Sequence, residues 1–366
     1  MEQQKKKIVY ILGAGASKDF GMPLGNEFFK KGLYLLGLKE KVSFKDIPLN
    51  HIEEDLIYLQ KNLPRIYPNL SDNPEEWPPV EEILTISYEL DKEIFDKTKD
   101  YVFEVLTTSQ RDPFMSLFEY QYECKFNYLE RYMMLKQYFE KMIGNPLLDI
   151  SFVSFNYDTL IDSILEELLE IDYPELTPTV TDYTYKVHLL DINNKENIIR
   201  GNGVKLIKPH GSINLAYCDK CKKAFYSIGS VIYSIKHERK GYECVCGARL
   251  QPLVCPPLFG KAHKGGQYLF EYMNEMLSLV KKEVESADRI IIVGYSFPDY
   301  DIEIKSSIID GIRSNTNNIE WQIIDKGDNI KNKLASIISR NYKLYCEGFI
   351  NYIVGEKEGQ QAIPNL

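Results

Sequence analysis

Ile8-Val9-Tyr10-Ile11-Leu12-Gly13-Ala14-Gly15-Ala16-Ser17 joins an unbroken apolar run to a glycine-rich turn. A run that is continuous rather than alternating is the pattern of a strand buried on both faces. The glycines that stop it mark an exit where backbone can come close to a ligand or to another loop. In open parallel sheets such a strand-to-helix turn is where a nucleotide pyrophosphate binds. The full GxGxxG spacing is absent, so a tight turn without a ligand stands beside that reading. A helix is expected from about Ser17 through Lys31, with Ser17 as its N-cap or as a hydroxyl donor to a phosphate.

Further strand-like runs appear at Ile150 to Phe155, Val204 to Lys208, Arg289 to Val293 and Trp321 to Ile324. Helical stretches separate them, which predicts an α/β fold, a Rossmann-like doubly wound parallel sheet whose strand ends converge on one crevice. Between the first two runs, residues 40–147 change to helical periodicity with many aromatics, as in Leu117, Tyr120, Cys124, Tyr128 and Tyr132. This reads as a helical insertion whose aromatic stripe packs as core or meets a partner. Prolines from Pro64 to Pro79 mark an irregular stretch before a helix near Val80.

Chemistry-bearing residues sit at the ends of these runs. In Ser154-Phe155-Asn156-Tyr157-Asp158, Asn156 suits a ribose hydroxyl or a water, and Asp158 suits either the same ribose or an Asx cap on the next helix. His210, in Pro209-His210-Gly211-Ser212, is either a base toward a ribose hydroxyl or water, or a structural histidine bonded to backbone. Gly294-Tyr295-Ser296 fits an adenosine, and Asp325 either a ribose or a plain turn. Cys218-Asp219-Lys220-Cys221 and Cys244-Val245-Cys246 form a quartet within residues 217–255, read as structural zinc ligands, free thiols or a redox pair, with His237 an outside candidate. Cys124, Cys255 and Cys346 read as ordinary thiols.

The 366 residues suffice for one large domain with insertions, and 44% hydrophobic with 27% charged is ordinary for a globular protein. A formal charge of -9 excludes a general grip on nucleic acid, which needs a basic surface. Lys5-Lys6-Lys7 is the one tight basic run and reads as a solvated arm ahead of the first strand. No segment has the roughly 20 consecutive apolar residues that span a bilayer, and the N-terminus lacks a secretion signal, so a cytoplasmic protein with no membrane contact is expected.

The four ordered motifs, ending at Ser17, Asp158, Ser212 and Ser296, together resemble the sirtuin-like family over roughly residues 8 to 30 and 150 to 326. Three departures place the resemblance nearer the bacterial NAD-hydrolysing antiphage effectors than the protein deacetylases. Gly21-Met22-Pro23-Leu24-Gly25-Asn26 stands where deacetylases have Gly-Ile-Pro-Asp-Phe-Arg, and Phe259-Gly260-Lys261 where they have Phe-Gly-Glu. The insertion at 40–147 is absent from a minimal sirtuin. The resemblance implies one catalytic domain over residues 1–366, carrying that insertion and a zinc-ribbon-like module at 217–255. It implies that Gly13, Ala14, Gly15 and Ser17 hold the NAD phosphates, and that Asn156 and Asp158 surround the nicotinamide ribose. His210 would be catalytic, Gly294 and Ser296 would lie by the adenosine, and Asp325 by its ribose. Cys218, Cys221, Cys244 and Cys246 would hold zinc.

The implied activity is hydrolysis of NAD+ to nicotinamide and ADP-ribose in antiphage defence. A homo-oligomer is expected, working with a second component such as a HerA-type ATPase, an Argonaute-like protein or a nucleotide sensor. The alternatives are an NAD-dependent protein deacylase and a non-catalytic sensor of NAD or ADP-ribose.

Overall fold

Every residue of the first strand after Lys6 is buried, as is every residue from Arg289 to Val293. Strands hidden on both faces belong to a covered parallel sheet. The computed structural model describes residues 5–39, 49–115, 122–171, 181–182, 187–189, 197–198, 203–226, 243–244, 246–255, 267–299, 301–326, 330–334, 337–338 and 342–357. Its strands are β1 (Lys6–Leu12), β2 (Leu148–Ser154), β3 (Thr181–Asp182), β4 (Val187–Leu189), β5 (Asn197–Ile198), β6 (Val204–Ile207), β7 (Gly211–Cys218), β8 (Lys223–Tyr226), β9 (Gln251–Val254), β10 (Arg289–Val293), β11 (Glu320–Ile324) and β12 (Tyr342–Tyr345).

Seven of these form a wholly parallel sheet in the order β12-β11-β10-β1-β2-β6-β3. The chain steps outward from β1 through β2 to β6, then returns to β10 on the other side of β1 and continues to β12. Its direction of winding reverses between β1 and β10, and at such a point the loops leaving the two strands part to open a crevice. The fold is therefore α/β and doubly wound, as the apolar runs indicated. The other five strands form a second sheet, β5-β4-β8-β7-β9, which carries the cysteines and takes in β4 and β5 upstream of residue 217.

The helices are α1 (Ala14–Lys18), α2 (Phe28–Lys39), α3 (Leu49–Asn62), α4 (Val80–Leu90), α5 (Lys92–Met115), α6 (Tyr122–Ile143), α7 (Leu160–Ile171), α8 (Gln267–Ser286), α9 (Ile302–Ser314), α10 (Ile330–Leu334) and α11 (Phe349–Lys357). Among the described residues none is long and apolar enough to cross a membrane. Two large cores result. One surrounds the parallel sheet and includes α6, α8 and α11. The other joins residues of α2 to α5 to the cysteine-bearing sheet, so that Phe28, Ile83 and Val105 share one apolar cluster with Ile213, Phe225 and Val254. The helical insertion and the second sheet thus share one apolar interior, built beside the strand-end crevice.

Three readings change in the structure. The single helix expected over 17–31 is two, because Gly21 takes a left-handed φ of +83° and Pro23 has no N–H to continue the ladder. Ser17 is not an N-cap: Gly13 occupies that position, and Ser17 is a buried residue inside α1. Lys6 and Lys7 belong to β1 instead of a solvated arm, and Lys7 Nζ is buried against Glu283 at 2.7 Å and Asp149 at 3.0 Å. Of the aromatic stripe, Leu117 and Tyr120 lie outside the described residues, as do the side chains of Cys124 and Tyr128; Tyr132 is buried and donates to Glu167 Oε1 at 2.9 Å.

At the crevice the glycines permit backbone to touch backbone. A Cβ on Gly13 would lie 2.5 Å from the Gly294 carbonyl oxygen, and one on Gly15 2.7 Å from Gly294 Cα. Gly294 has a φ of +56° as well, and its own Cβ would overlap Gly15. Gly294→Ala combines a left-handed backbone with a collision that backbone alone must absorb, and is expected to lower stability by about 2 kcal/mol or more. Gly37→Ala, whose added Cβ meets nothing within 4 Å on a helix, is expected to be neutral or slightly stabilising. Thermal unfolding of the two variants checks this, and equal melting points would contradict it.

Candidate functional site

A cavity of about 480 Å³ lies over the ends of β1, β2, β10 and β11, between the two cores. Gly13, Ala14, Gly15, Asn156, Asp158, His210, Gly294, Ser296 and Asp325 all line it. Residues spread over more than three hundred positions therefore meet in one concave site, of a size that suits a small ligand. Ser17 lies just behind them, fully covered.

The loops are tied together by their own polar groups. The Gly13 N–H donates to Val293 O at 2.9 Å and the Gly15 N–H to Gly294 O at 3.0 Å, so these two amides brace the crevice. Asn156 donates its side-chain amide to Gly13 O at 2.9 Å and to Ser17 Oγ at 3.0 Å. Both amide hydrogens are engaged, so the amide oxygen is the group a ligand can use, as an acceptor. Asp158 Oδ1 accepts from the Leu160 N–H at 3.0 Å, which is the Asx-cap geometry at the start of α7. Burial pushes its carboxyl above the ordinary range, against the opposing pull of Lys208, the Leu160 N–H and the Ser17 hydroxyl. The Asp325 N–H donates to Tyr345 O at 3.0 Å, and Ser296 is exposed on the rim.

His210 is buried, with Phe155 and Tyr157 edge-on to its ring. Its Nδ1 lies 3.1 Å from the carbonyl oxygen of Cys255, and a carbonyl only accepts, so Nδ1 carries the hydrogen. In the neutral ring Nε2 then holds the lone pair, 3.7 Å from Asp301 Oδ1. Asp301 is buried and accepts from the Tyr295 hydroxyl at 2.9 Å. Two residues before the histidine, Lys208 is completely buried and donates to Asp158 O, Asp162 Oδ2 and Ser212 Oγ at 2.6, 2.8 and 2.7 Å. Full pairing of this kind is what makes a buried ammonium tolerable, and it anchors the start of the histidine turn.

Sequence reading overlooked two acids in the cavity. Asp301 lies five residues after Ser296 of the Gly294-Tyr295-Ser296 motif, beyond a loop that holds Phe297 at φ +49°. Glu81 stands in the first turn of α4, within the insertion, and lines the same wall as Asp301. A Cβ on Gly25 would overlap its carboxyl group, so the carboxyl lies directly on that glycine. Burial, and secondarily the charge of Asp301, push Glu81 up to about 6, partly opposed by its own N–H.

The cysteine quartet closes up in space. The four sulfurs lie within 4.8 Å of one another, with Cys218 to Cys246 at 3.6 Å and Cys221 to Cys244 at 3.7 Å. Ligands about 2.3 Å from a tetrahedral zinc stand about 3.8 Å apart, so the set is compatible with a structural zinc. The same sheet ends in β9, after which Cys255 exchanges two bonds with His210: its N–H donates to His210 O at 2.8 Å, and its oxygen takes the ring hydrogen. Cys255 is buried and Cys346 exposed. His237 and Phe259-Gly260-Lys261 lie outside the described residues.

No family model matches the chain, and no curated protein matches it. Among solved structures the chain is similar to one described as Sir2 in complex with the inhibitor EX-527, 2′-O-acetyl-ADP-ribose and a deacetylated p53 peptide. The identity is 15%, over 97% of this chain and 94% of that one, with a TM-score of 0.39. That likeness is too slight to carry a conclusion about this chain.

Two outcomes follow from this geometry. Metal analysis of the purified chain should find about one zinc per chain, and chelation or Cys218→Ser should lower the melting point, whereas Cys346→Ser should not; metal-free protein with an unchanged melting point would rule the site out. The second concerns Glu81, whose ordinary value is 4.5. A carboxyl with a raised folded-state value holds its proton more tightly when folded. Its burial is therefore free below about pH 4.5, costs increasingly between about 4.5 and 6, and reaches at most about 2 kcal/mol above that. Glu81→Gln should raise the melting point near pH 8 and leave it unchanged near pH 4, and a lower melting point at pH 8 would show that the carboxylate stabilises the fold.

Proposed function

We propose that the chain is an NAD+ hydrolase releasing nicotinamide and ADP-ribose. The observation that carries this reading is the placement of His210 at the switch-point cavity, with its tautomer fixed by Cys255 and its Nε2 turned inward beside Asp301. A base held in one tautomer, in the same cavity as an amide oxygen acceptor and a glycine-braced crevice, suits chemistry on the ribose next to a dinucleotide pyrophosphate.

Hydrolysis begins with heterolysis of the bond between ribose C1′ and the pyridinium nitrogen. The bonding pair leaves with nicotinamide, which becomes neutral, and the ribose carries oxocarbenium character. Asn156 Oδ1 orients a ribose hydroxyl or the incoming water, and His210 Nε2 accepts a hydrogen bond from the hydroxyl as positive charge grows. An imidazolium formed there is stabilised by Asp301. Water then bonds to C1′, gives up one proton that passes to solvent, and yields ADP-ribose. Gly13, Ala14 and Gly15 border the phosphates in this pose, Gly294 and Ser296 the adenosine, and Asp325 its ribose.

The family resemblance extends this reading to a cytoplasmic effector of antiphage defence that halts phage replication by depleting NAD+. It would act as a homo-oligomer switched on by a second component such as a HerA-type ATPase.

Chromatographic measurement of nicotinamide release from NAD+, without acylated peptide, tests the activity. Wild-type protein should release nicotinamide, and His210→Ala and Asn156→Ala should lower the rate by about 10²- to 10⁴-fold. Wild-type rates in both variants would defeat the assignment.

A further inference from the structure

The cavity contains a carboxyl group that the scheme above leaves without a task. Glu81 comes from the insertion helix α4, on the opposite core from β1 and β10, yet it faces the same space as His210 and Asp301. Val80, the residue before it, and Ile83 are fully packed, so the first turn of α4 holds its place rigidly. The neighbouring Gly25 has no side chain, and the Glu81 carboxyl fills that gap. Among the described residues, the other titratable or charged side chains around the cavity are Asp301, His210, Asp158, Asp325, Lys18, Lys326 and the phenols of Tyr157 and Tyr295. Lys18 is paired with Glu27 at 2.6 Å and Lys326 with Asp19 at 2.6 Å.

We infer that Glu81 is the general base of the hydrolytic step, accepting the proton of the water that attacks ribose C1′, while His210 and Asp301 hold the ribose hydroxyl. This rests on the hydrolase reading. The step balances without a further reactant: the water oxygen bonds to C1′, the C1′ to pyridinium-nitrogen bonding pair departs with nicotinamide, and the water proton passes to the Glu81 carboxylate and then to solvent. The division of labour follows from position. His210 is covered by Phe155 and Tyr157 and bonded on one edge to Cys255, whereas Glu81 is only partly covered and enters the cavity from another element, on the side of Asp301. Its acidity near pH 6 leaves it ionised yet still basic at neutral pH, the condition under which a carboxylate base works best. The negative charge also complements the pyridinium of the substrate before the bond breaks.

The test is steady-state nicotinamide release by the full chain between about pH 5 and pH 9, with wild type, Glu81→Gln and Glu81→Asp. Glu81→Gln is expected to lower kcat by about 10²- to 10⁴-fold with little change in KM, and to remove the fall in rate below about pH 6. Glu81→Asp, which retains a carboxylate, should restore part of kcat together with an acidic limb. If Glu81→Gln keeps the wild-type kcat, or raises KM alone, Glu81 is not the base although the hydrolase reading stands. If wild-type protein releases no nicotinamide at any pH, the hydrolase reading fails and the role of Glu81 with it.

Discussion

The close approach of two glycine turns underlies everything else in this molecule. Gly13 and Gly15, leaving β1, press against Gly294 and Tyr295, leaving β10, at distances that exclude any Cβ. Their N–H groups are satisfied by the carbonyls of Val293 and Gly294, and Gly13 O accepts both the Ala16 N–H and the side chain of Asn156. Three strand ends are thereby joined through one residue, Gly13, whose N–H reaches the end of β10 and whose carbonyl takes the side chain that follows β2, at the place where the sheet reverses its winding. An unsatisfied buried peptide group costs about 1–3 kcal/mol, so the loops have little freedom to separate. The cavity floor is rigid because the backbone itself is the packing material.

A second constraint sets the opposite wall. His210 belongs to the turn between β6 of the parallel sheet and β7 of the second sheet, so it stands where the two sheets meet. Lys208 fixes one side of that turn through Asp158, Asp162 and Ser212, while Tyr272 donates to Lys208 O at 2.6 Å. Cys255 fixes the other side from the end of the cysteine-bearing sheet. A metal held by the four thiols would brace the sheet whose strands β7 and β9 flank the histidine turn, although no sulfur of the quartet lines the cavity.

Sequence reading recovered the parallel sheet well because a doubly covered strand leaves an unmistakable mark: Ile8 to Leu12 and Ile290 to Val293 are almost wholly inaccessible to water. It recovered the strand-end motifs for the same reason, since polar residues directly after such runs have few other places to be. It failed where local pattern and tertiary context disagree. The residues after the glycine turn look like one helix through Lys31, and only the left-handed Gly21 and Pro23 show why they form two. Lys7 looks solvated until strand pairing brings Asp149 and a helix brings Glu283. Glu81 could not be found at all, because a glutamate in a helix's first turn is ordinary, and its proximity to Asp301 arises only when the two cores assemble.

The distribution of charge around the cavity carries a last consequence. Glu81 and Asp301 stand on the same side of the cavity as His210, the charge of Asp301 raising the cost of ionising Glu81, while Lys18 and Lys326 lie toward the glycine turn and the end of β11. A protein selected for stability alone would gain by replacing one of the two acids, since like charges in a confined space oppose folding at neutral pH. The pair is understandable if the ligand itself brings positive charge to that end. A dinucleotide with an anionic pyrophosphate and a cationic pyridinium has this polarity, and only one orientation matches it. In the proposed hydrolase the phosphates would lie by the glycine turns, and the pyridinium against the two carboxylates. The bond to be broken would then fall between Asn156, His210 and Glu81. Loss of the pyridinium charge on cleavage would remove the attraction holding nicotinamide there, so the arrangement that orients such a substrate would also favour release of its first product.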